Sequence, residues 1–283
     1  MTGHQTSAAD KRKIFRMLHE TGCFVIPNPW NVGSARYLQG LGFKALATTS
    51  SGFAHSQGYA DGALSLDQVL AHFHEMAAAV DVPLNADFED GLADDLGGLA
   101  ENVTRCVATG IAGLSIEDSP NNGRTPLYEF ETAVARVGAA RAAIDRAAGD
   151  VVFTARAEGF IRGVPDLDDV IRRLKAYAAA GADCLYAPGI KTREQIEAVV
   201  KAVAPKPVNF LNSGAFGFTV ADLAAMGVRR ISVGGSLARV AMHAFIRTAT
   251  EIAKDGKFDG FADLISNQEL NKFFGDGHKK PVS

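Results

Sequence analysis

The sequence predicts a closed barrel of eight parallel strands and eight helices, a (β/α)8 TIM barrel, with extra helices at its C-terminal end. Three observations predict this fold. Short apolar or β-branched runs alternate with longer Ala- and Leu-rich segments of helical period along almost the whole chain. Eight such pairs fit within 283 residues, the usual size of one barrel domain. The first strand is not followed by the Gly-x-Gly-x-x-Gly turn of an open dinucleotide-binding sheet.

The elements follow from these runs in order. The eight predicted strands are Cys23–Pro27, Ala45–Ser50, Val82–Glu89, Gly113–Glu117, Val151–Ala155, Ala182–Tyr186, Pro207–Leu211 and Arg230–Val233. The predicted helices are Val32–Leu41, Ser65–Val80, Leu99–Thr109, Glu129–Ala147, Leu167–Ala180, Arg193–Val203, Val220–Met226 and Leu237–Lys254. Four glycines stand between a helix and the next strand, as left-handed helix caps do: Gly42, Gly110, Gly181 and Gly227.

We expect residues 1–283 to form a single barrel domain, in which residues 258–283 add a C-terminal helical extension. Hydrophobic residues make up 47% of the chain, enough for one large core. The extension carries apolar side chains at helical spacing, including Phe261, Leu264 and Phe273. This apolar surface predicts packing on a partner subunit.

Composition narrows the choice of partner. The net charge is only −3 and the basic residues are dispersed, so we expect neither a nucleic acid nor a membrane as partner, but a small molecule. Cys23, Cys106 and Cys184 show no Cys-x-x-Cys spacing and are expected to be reduced thiols. With no apolar leader and no run of about 18 apolar residues, the expected location is cytoplasmic.

Acidic residues gather where strands end, and in this fold those ends build the active site. Alternation along the third strand places Asn85, Asp87 and Glu89 on one face, and Glu117 ends the neighbouring strand. Carboxylates held close together need a compensating cation, and oxygen ligands favour Mg²⁺ or Mn²⁺ over zinc. The alternative is a set of solvated loop acids that cap helices.

The fifth strand ends with Arg156 and Glu158 on the same side. Arg156 is expected to hold a substrate carboxylate while Glu158 orients it, although a purely structural ion pair explains the pattern equally well. The hydroxyl-rich end of the second strand, which includes Ser50, Ser51 and Gly52, is a further candidate for binding a carboxylate.

In their order along the chain, these motifs resemble the isocitrate lyase/phosphoenolpyruvate mutase superfamily, from Pro27-Asn28-Pro29-Trp30-Asn31 to Val233-Gly234-Gly235. The resemblance implies that the Ser50, Ser51 and Gly52 segment cradles the carboxylate of a 2-oxo acid and that Asp61 lies near the metal. It implies metal ligation by Asp87, Glu89 and Glu117, with Glu89 in place of the commoner Asp. Arg156 would bind the substrate or its enolate oxygen.

Two segments depart from the superfamily pattern. The expected gating loop reads Ser119-Pro120-Asn121-Asn122-Gly123-Arg124-Thr125-Pro126, without the Lys-x-Cys-Gly-His motif that supplies the acid in lyases. After the sixth strand, Ala187-Pro188-Gly189 stands where lyases have Glu and mutases have His. Asn122, in the loop, and Asn209, at the seventh strand, are therefore expected to contact the distal part of the substrate, and Tyr186 or Lys191 could replace the missing polar group.

The sequence thus predicts a Mg²⁺-dependent lyase or decarboxylase that cleaves a C–C bond of a small 2-oxo acid through an enolate and forms pyruvate. Arg156, Glu117 and Asp61 are its expected catalytic residues. Phosphorus–carbon chemistry, as in phosphoenolpyruvate mutase or phosphonopyruvate hydrolase, and a non-catalytic 2-oxo-acid-binding protein stay open as alternatives. The aromatic tail and the resemblance together predict a homodimer or homotetramer.

Overall fold

The computed structural model describes residues 6–121, 123–147 and 149–275. Its eight strands are β1 (Phe24–Ile26), β2 (Leu46–Ala47), β3 (Leu84–Asp87), β4 (Gly113–Glu117), β5 (Val152–Arg156), β6 (Cys184–Tyr186), β7 (Val208–Leu211) and β8 (Arg230–Ser232). They pair in parallel in the order β1-β8-β7-β6-β5-β4-β3-β2. The Ala47 amide donates to the Pro27 carbonyl at 3.1 Å and links β2 to the end of β1. The predicted barrel is confirmed as a nearly closed one.

The helices occupy the predicted intervals and two further positions. They are α1 (Ala8–Leu18), α2 (Val32–Gly40), α3 (Ser50–Ser56), α4 (Leu66–Ala79), α5 (Leu96–Ala108), α6 (Phe130–Ala147), α7 (Leu167–Ala179), α8 (Arg193–Val203), α9 (Val220–Ala225), α10 (Ser236–Asp255), a 3-10 turn (Asp259–Phe261) and α11 (Asn267–Gly275). Helices α1 and α3 were not expected. Ser50, predicted as the end of a strand, instead begins α3, because the Thr49 hydroxyl accepts a hydrogen bond from the Gly52 amide and caps the helix.

Helix α1 closes the end of the barrel opposite the strand carboxyl ends. Its Phe15 is fully buried against Ala45, Ala112 and Val152, which lie near the amino ends of their strands. The Lys11 ammonium donates to the carbonyls of Ala77 at 2.9 Å and Val80 at 2.5 Å, at the end of α4. In the described part of the chain, α1 therefore fills this end of the barrel.

The four predicted glycine caps adopt the left-handed conformation, with φ of +90° at Gly42, +89° at Gly110, +106° at Gly181 and +87° at Gly227. At Gly181 a side chain is also excluded by packing, since a Cβ would lie 2.6 Å from Cγ of Arg141. These caps end each helix sharply and return the chain to the next strand.

Helix α10 differs from the other long helices because none of its 20 residues is buried. Its exposed side chains include Val240 at 68%, Phe245 at 66% and Ile246 at 53% of their full accessibility. Phe258 and Leu264, which follow it, are also exposed. Within the described residues, no helix combines the length and the apolar character needed to cross a membrane.

Candidate active site

A cavity of about 240 Å³ opens at the carboxyl ends of the strands. Polar side chains from most strands line it: Asn28, Thr48, Thr49, Ser50, Ser51, Asp61, Asn85, Asp87, Ser115, Glu117, Arg156, Glu158, Arg162, Tyr186, Asn209, Arg230 and Ser232. A larger groove, of about 560 Å³, lies outside the barrel between α3 and α10 and is mostly apolar. The smaller cavity contains the clustered charges, so it is the candidate active site.

Arg156, the last residue of β5, joins three carboxylates in this cavity. Its Nη1 lies 2.8 Å from Asp87 Oδ1 and 3.0 Å from Glu117 Oε1, and its Nε donates to Glu158 Oε1 at 2.8 Å. The guanidinium also lies 4.9 Å from the centre of the Tyr186 ring. Burial alone would lower the pKa of Arg156, but the carboxylates of Glu117, Glu158 and Asp87 raise it well above its ordinary value. Arg156 is a permanently charged, rigidly held cation.

Glu117 and Glu158 are carboxyls with little access to solvent. Burial raises the pKa of Glu117 well above its ordinary value, and the opposing effect of Arg156 is smaller. Glu117 Oε2 also lies 3.2 Å from Arg162 Nη2. Burial likewise raises the pKa of Glu158, whose Oε2 has no hydrogen-bond partner among the described residues. The predicted contact between Arg156 and Glu158 is present in the structure.

Asp87 lies opposite the beginning of α3. Its Oδ2 accepts a hydrogen bond from the Ser50 amide at 3.1 Å, and its own amide donates to Thr48 Oγ1 at 2.9 Å. Ser51 also lines the cavity, with its hydroxyl 3.2 Å from Thr49 Oγ1. Gly52, by contrast, faces the outer groove, and a Cβ there would lie 2.6 Å from Thr49 Cγ2. Its small size is therefore required by packing.

Glu89 lies just beyond β3, with a positive φ of 50°. Its carboxylate accepts a hydrogen bond from the Asn121 side chain. Burial, reinforced by the charges of Asp87 and Asp61, raises the pKa of Glu89 to about 7. Asp61 is exposed and lines the cavity at its rim. Asp61, Asp87 and Glu117 thus line one cavity, whereas Glu89 lies outside its lining and interacts with Asp87 and Asp61 through their charges.

The two predicted asparagines have different outcomes. Asn209 lines the cavity but is fully buried. Arg230 Nε donates to its Oδ1 at 2.8 Å, and its Nδ2 donates to Ser232 Oγ at 2.9 Å. Its amide is thus already engaged by the protein. Asn122 lies outside the described residues. The backbone N–H of the neighbouring Asn121 donates to Asp90 Oδ2 at 3.1 Å, which holds the loop close to the acids.

The sequence did not predict the hydrogen bonds that two residues near the site, Asn28 and Asp118, make with distant parts of the chain. Asn28 accepts from the amides of Val233 at 3.0 Å and Gly234 at 2.9 Å, and so fastens β1 to the end of β8. Asp118 accepts from Tyr177 at 2.6 Å and from the Glu158 amide at 2.8 Å. The only sequence signal for either residue is its place at a strand end, which does not reveal a partner more than 30 residues away.

The donor set of the cavity matches a magnesium ion that keeps much of its water. No three His, Cys, Asp or Glu side chains of the described residues form a ready-made ion cage. However, Mg²⁺ commonly takes only one or two protein carboxylates and fills its other positions with water and substrate oxygens. Asp87 and Glu117 share one Arg156 nitrogen and are close neighbours, and Glu158 retains an unsatisfied oxygen. This excess of carboxylates fits a hard divalent cation.

Comparison with known proteins identifies relatives over most of the chain. The family profile described as phosphoenolpyruvate phosphomutase matches residues 15–253. An uncharacterised protein of Mycobacterium tuberculosis is 30% identical over 245 residues, which cover 86% of this chain and 90% of that protein. Oxaloacetate decarboxylase of Paraburkholderia xenovorans is 28% identical over 257 residues, which cover 87% of this chain and 83% of the enzyme.

Solved structures agree with these relatives. A Burkholderia cenocepacia protein described provisionally as a lyase/mutase is 42% identical with a TM-score of 0.91, over 97% of this chain and 99% of that one. Phosphonopyruvate hydrolase in complex with oxalate and Mg²⁺ is 28% identical, with a TM-score of 0.82 over 94% and 95% of the two chains. Oxaloacetate acetylhydrolase, solved with its product oxalate and with the inhibitor 3,3-difluorooxalacetate, is 27% and 26% identical, with a TM-score of 0.83 over 94% of both chains.

Proposed function

This chain belongs to the phosphoenolpyruvate mutase/isocitrate lyase superfamily, and on that premise we propose that it is a magnesium-dependent enzyme that acts on a 2-oxo acid. The enzyme cleaves the C–C bond next to the carbon that becomes part of the enolate, and it releases pyruvate. One observation carries the proposal. A single nitrogen of Arg156 contacts both Asp87 and Glu117 in a small polar cavity that Ser50 and Ser51 also line.

Carboxylates at and beside the cavity would hold the metal. We assign Asp87 as the direct protein ligand and Glu89 and Glu117 as ligands that act largely through water. Magnesium, when bound, supplies positive charge that polarises the 2-oxo group and stabilises negative charge on its oxygen. The solved phosphonopyruvate hydrolase, with oxalate and Mg²⁺ together, supports magnesium as the metal.

The chain's own groups then act on a substrate held beside Asp87. Ser50 and Ser51 bind its carboxylate, and Gly52 lets α3 pack closely enough to bring them into place. The charged side chain of Arg156 stabilises the enolate oxygen, because a buried guanidinium held by three carboxylates needs no reorganisation as charge develops. Glu117 keeps Arg156 in position. Asp61, exposed at the rim, exchanges protons between the cavity and solvent.

The loop of residues 119–126 favours decarboxylation over other cleavages. It carries no thiol or imidazole to protonate an enolate carbon. Loss of CO₂ from oxaloacetate needs no acid on the departing group, and water can protonate the enolate afterwards. Asn122 is proposed to contact the substrate when this loop closes, and Asn209 to shape the cavity floor. The oxaloacetate decarboxylase among the relatives supports this choice.

A coupled assay of pyruvate release tests the proposal. Oxaloacetate, 2-methylisocitrate, phosphonopyruvate and a 4-hydroxy-2-oxo acid are each offered with Mg²⁺ and then with excess EDTA. We expect metal-dependent pyruvate from oxaloacetate and none from Asp87→Ala. Pyruvate from phosphonopyruvate alone would indicate hydrolysis of the phosphorus–carbon bond. Silence with every substrate, with oxalate still bound, would indicate a mutase, which forms no pyruvate, or a binding protein.

We also propose that the enzyme is a homodimer or homotetramer in the cytoplasm. The uncovered apolar side chains of α10, among them Val240, Phe245 and Ile246, need a partner, and a second copy of this chain offers the same apolar surface in return. If the interface includes the groove between α10 and α3, it lies next to the segment that carries Ser50 and Ser51. The three cysteines are free, which suits a reducing compartment.

A further inference from the structure

Three guanidinium groups line the candidate active site, and they differ in how much of their charge is available. Arg156 contacts Asp87, Glu117 and Glu158, so its donors face protein carboxylates. Arg230 is almost fully buried; its Nε donates to Asn209, and its Nη1 lies 3.4 Å from Nε2 of His19, the residue that follows α1. Arg230 is therefore directed into the protein, whereas Arg156 lines the cavity with Nη1 and Nε already in contact with protein carboxylates.

Arg162 is placed differently. It lies in the turn that follows β5, where its amide donates to the Glu158 carbonyl at 3.0 Å, and its side chain is 40% exposed at the cavity wall. Only its Nη2 makes an ion pair within the described part of the chain, with Glu117 at 3.2 Å. Nη1 and Nε have no ion pair there, so they can serve an anion at the open side of the cavity.

We propose that Arg162 binds the second anionic group of the substrate and thereby selects dianionic 2-oxo acids over monoanionic ones. This inference rests on the proposed function, because it assumes that the 2-oxo acid end lies at Ser50, Asp87 and Arg156. Glu117 contacts both Arg156 and Arg162, so the two guanidiniums stand side by side over one carboxylate. A short substrate with an anion at each end matches that arrangement.

The loop after β6 explains why the second anion is bound from this position. Gly189 has a φ of +93°, and a Cβ there would lie 2.7 Å from Ile161 Cγ2 and 2.8 Å from Phe160 Cβ. At Gly189 the loop therefore packs closely against the turn that carries Arg162, and this position has no space for a side chain. Lys191, considered above as a substitute, does not line the cavity; its amide bonds Gln195 at the start of α8. Tyr186 lies against Arg156.

The charge change during decarboxylation predicts which kinetic constant responds. A carboxylate bound by Arg162 loses its negative charge as it becomes CO₂, and its electron pair passes to the enolate. Arg162 therefore stabilises the bound substrate at least as much as the transition state. Removing it should raise KM for a dianionic substrate and leave kcat largely intact.

Binding measurements test Arg162 without requiring turnover. Isothermal titration calorimetry with Mg²⁺ present measures the affinity for two ligands, 3,3-difluorooxalacetate with two carboxylates and pyruvate with one. The proteins compared are the unaltered chain, Arg162→Gln, Arg162→Lys and Arg193→Gln. Arg193 is a matched control, since it is 48% exposed, pairs with Glu197 and lies away from the cavity. In Arg162→Gln we expect a loss of difluorooxalacetate affinity of about tenfold or more, the value of a charge-assisted hydrogen bond, and a loss of less than about threefold for pyruvate.

Arg162→Lys should recover part of the difference, and Arg193→Gln should bind both compounds normally. Equal losses for both compounds would overturn the inference, because Arg162 would then act only by positioning Glu117. Unchanged affinities, or no difluorooxalacetate binding by the unaltered protein, would overturn it as well. The proposed function fails separately, if no pyruvate is released from any substrate while Arg162 still controls the selectivity of binding.

Discussion

Replacing Arg156 with Gln perturbs the candidate site most directly. Arg156 is 11% exposed and makes three carboxylate contacts, of 2.8, 3.0 and 2.8 Å. Removal of one partner from a buried ion pair usually costs about 3–5 kcal/mol, because it leaves the other charge uncompensated. Glu117 and Glu158 already have raised pKa values through burial, so they can take up protons and limit the loss. We expect unfolding free energy to fall by about 3 kcal/mol at pH 8.

The pH dependence has a defined sign. A carboxyl whose pKa in the folded protein is raised above its unfolded value destabilises the fold at high pH and ceases to do so as it is protonated. The stability deficit of Arg156→Gln should therefore shrink as the pH falls from 8 to 5. Urea denaturation in EDTA at the two pH values measures it, with Arg193→Gln as the control for loss of an exposed arginine.

Catalysis should suffer more than stability. Loss of a preorganised donor to a developing oxyanion typically lowers kcat by about 10²–10³-fold. Arg156→Lys keeps the charge but loses the planar fork, so its activity should lie between those of the unaltered protein and Arg156→Gln. Pyruvate release measures both variants. An Arg156→Gln enzyme with full activity, or one whose stability deficit grows as the pH falls, would refute the assigned role.

Three further outcomes are expected. Asp87→Ala should abolish metal-dependent release of pyruvate. Asp95→Ala removes the N-cap of α5, so it should lower the free energy of unfolding by about 1 kcal/mol and keep Mg²⁺-dependent pyruvate release. Burial lowers the pKa of His72 to about 4, so between about pH 6.5 and 4 the unfolded chain binds a proton that the folded chain does not. The free energy of unfolding should therefore decrease as the pH is lowered through this range, by up to about 1.4 kcal/mol per pH unit. Urea denaturation should show a smaller dependence of this free energy on pH in His72→Leu. Phe245→Asp should reduce the sedimentation coefficient by separating subunits, and an unchanged value would locate the interface elsewhere.

Much of the barrel could be predicted because strand and helix periods differ and each unit repeats the same pattern. Alternation along β3 also predicted that Asp87 faces the cavity and that Phe88 packs outside it, fully buried. The two-residue spacing of Arg156 and Glu158 predicted their contact in the same way. These are local relations, which the sequence carries directly.

The remaining features depend on contacts between distant parts of the chain. Asn209 was expected to contact the substrate, but its side-chain oxygen already accepts a hydrogen bond from Arg230, 21 residues further along. Helix α3 was not predicted because Ser50 follows an apolar run of strand type; in the structure the Thr49 side chain caps the helix that begins at Ser50. Arg162 was overlooked because nothing in its own turn shows that Glu117 lies beside it.

The most direct test of the account is the binding of oxalate, a planar dianion that resembles the enolate of pyruvate. Calorimetric titration of the unaltered protein and of Asp87→Ala is made with Mg²⁺ and with EDTA. We predict tight oxalate binding that requires both Mg²⁺ and Asp87. Oxalate binding of equal strength in EDTA, or in Asp87→Ala, would contradict the claim that the carboxylates of this cavity bind an enolate through a metal ion.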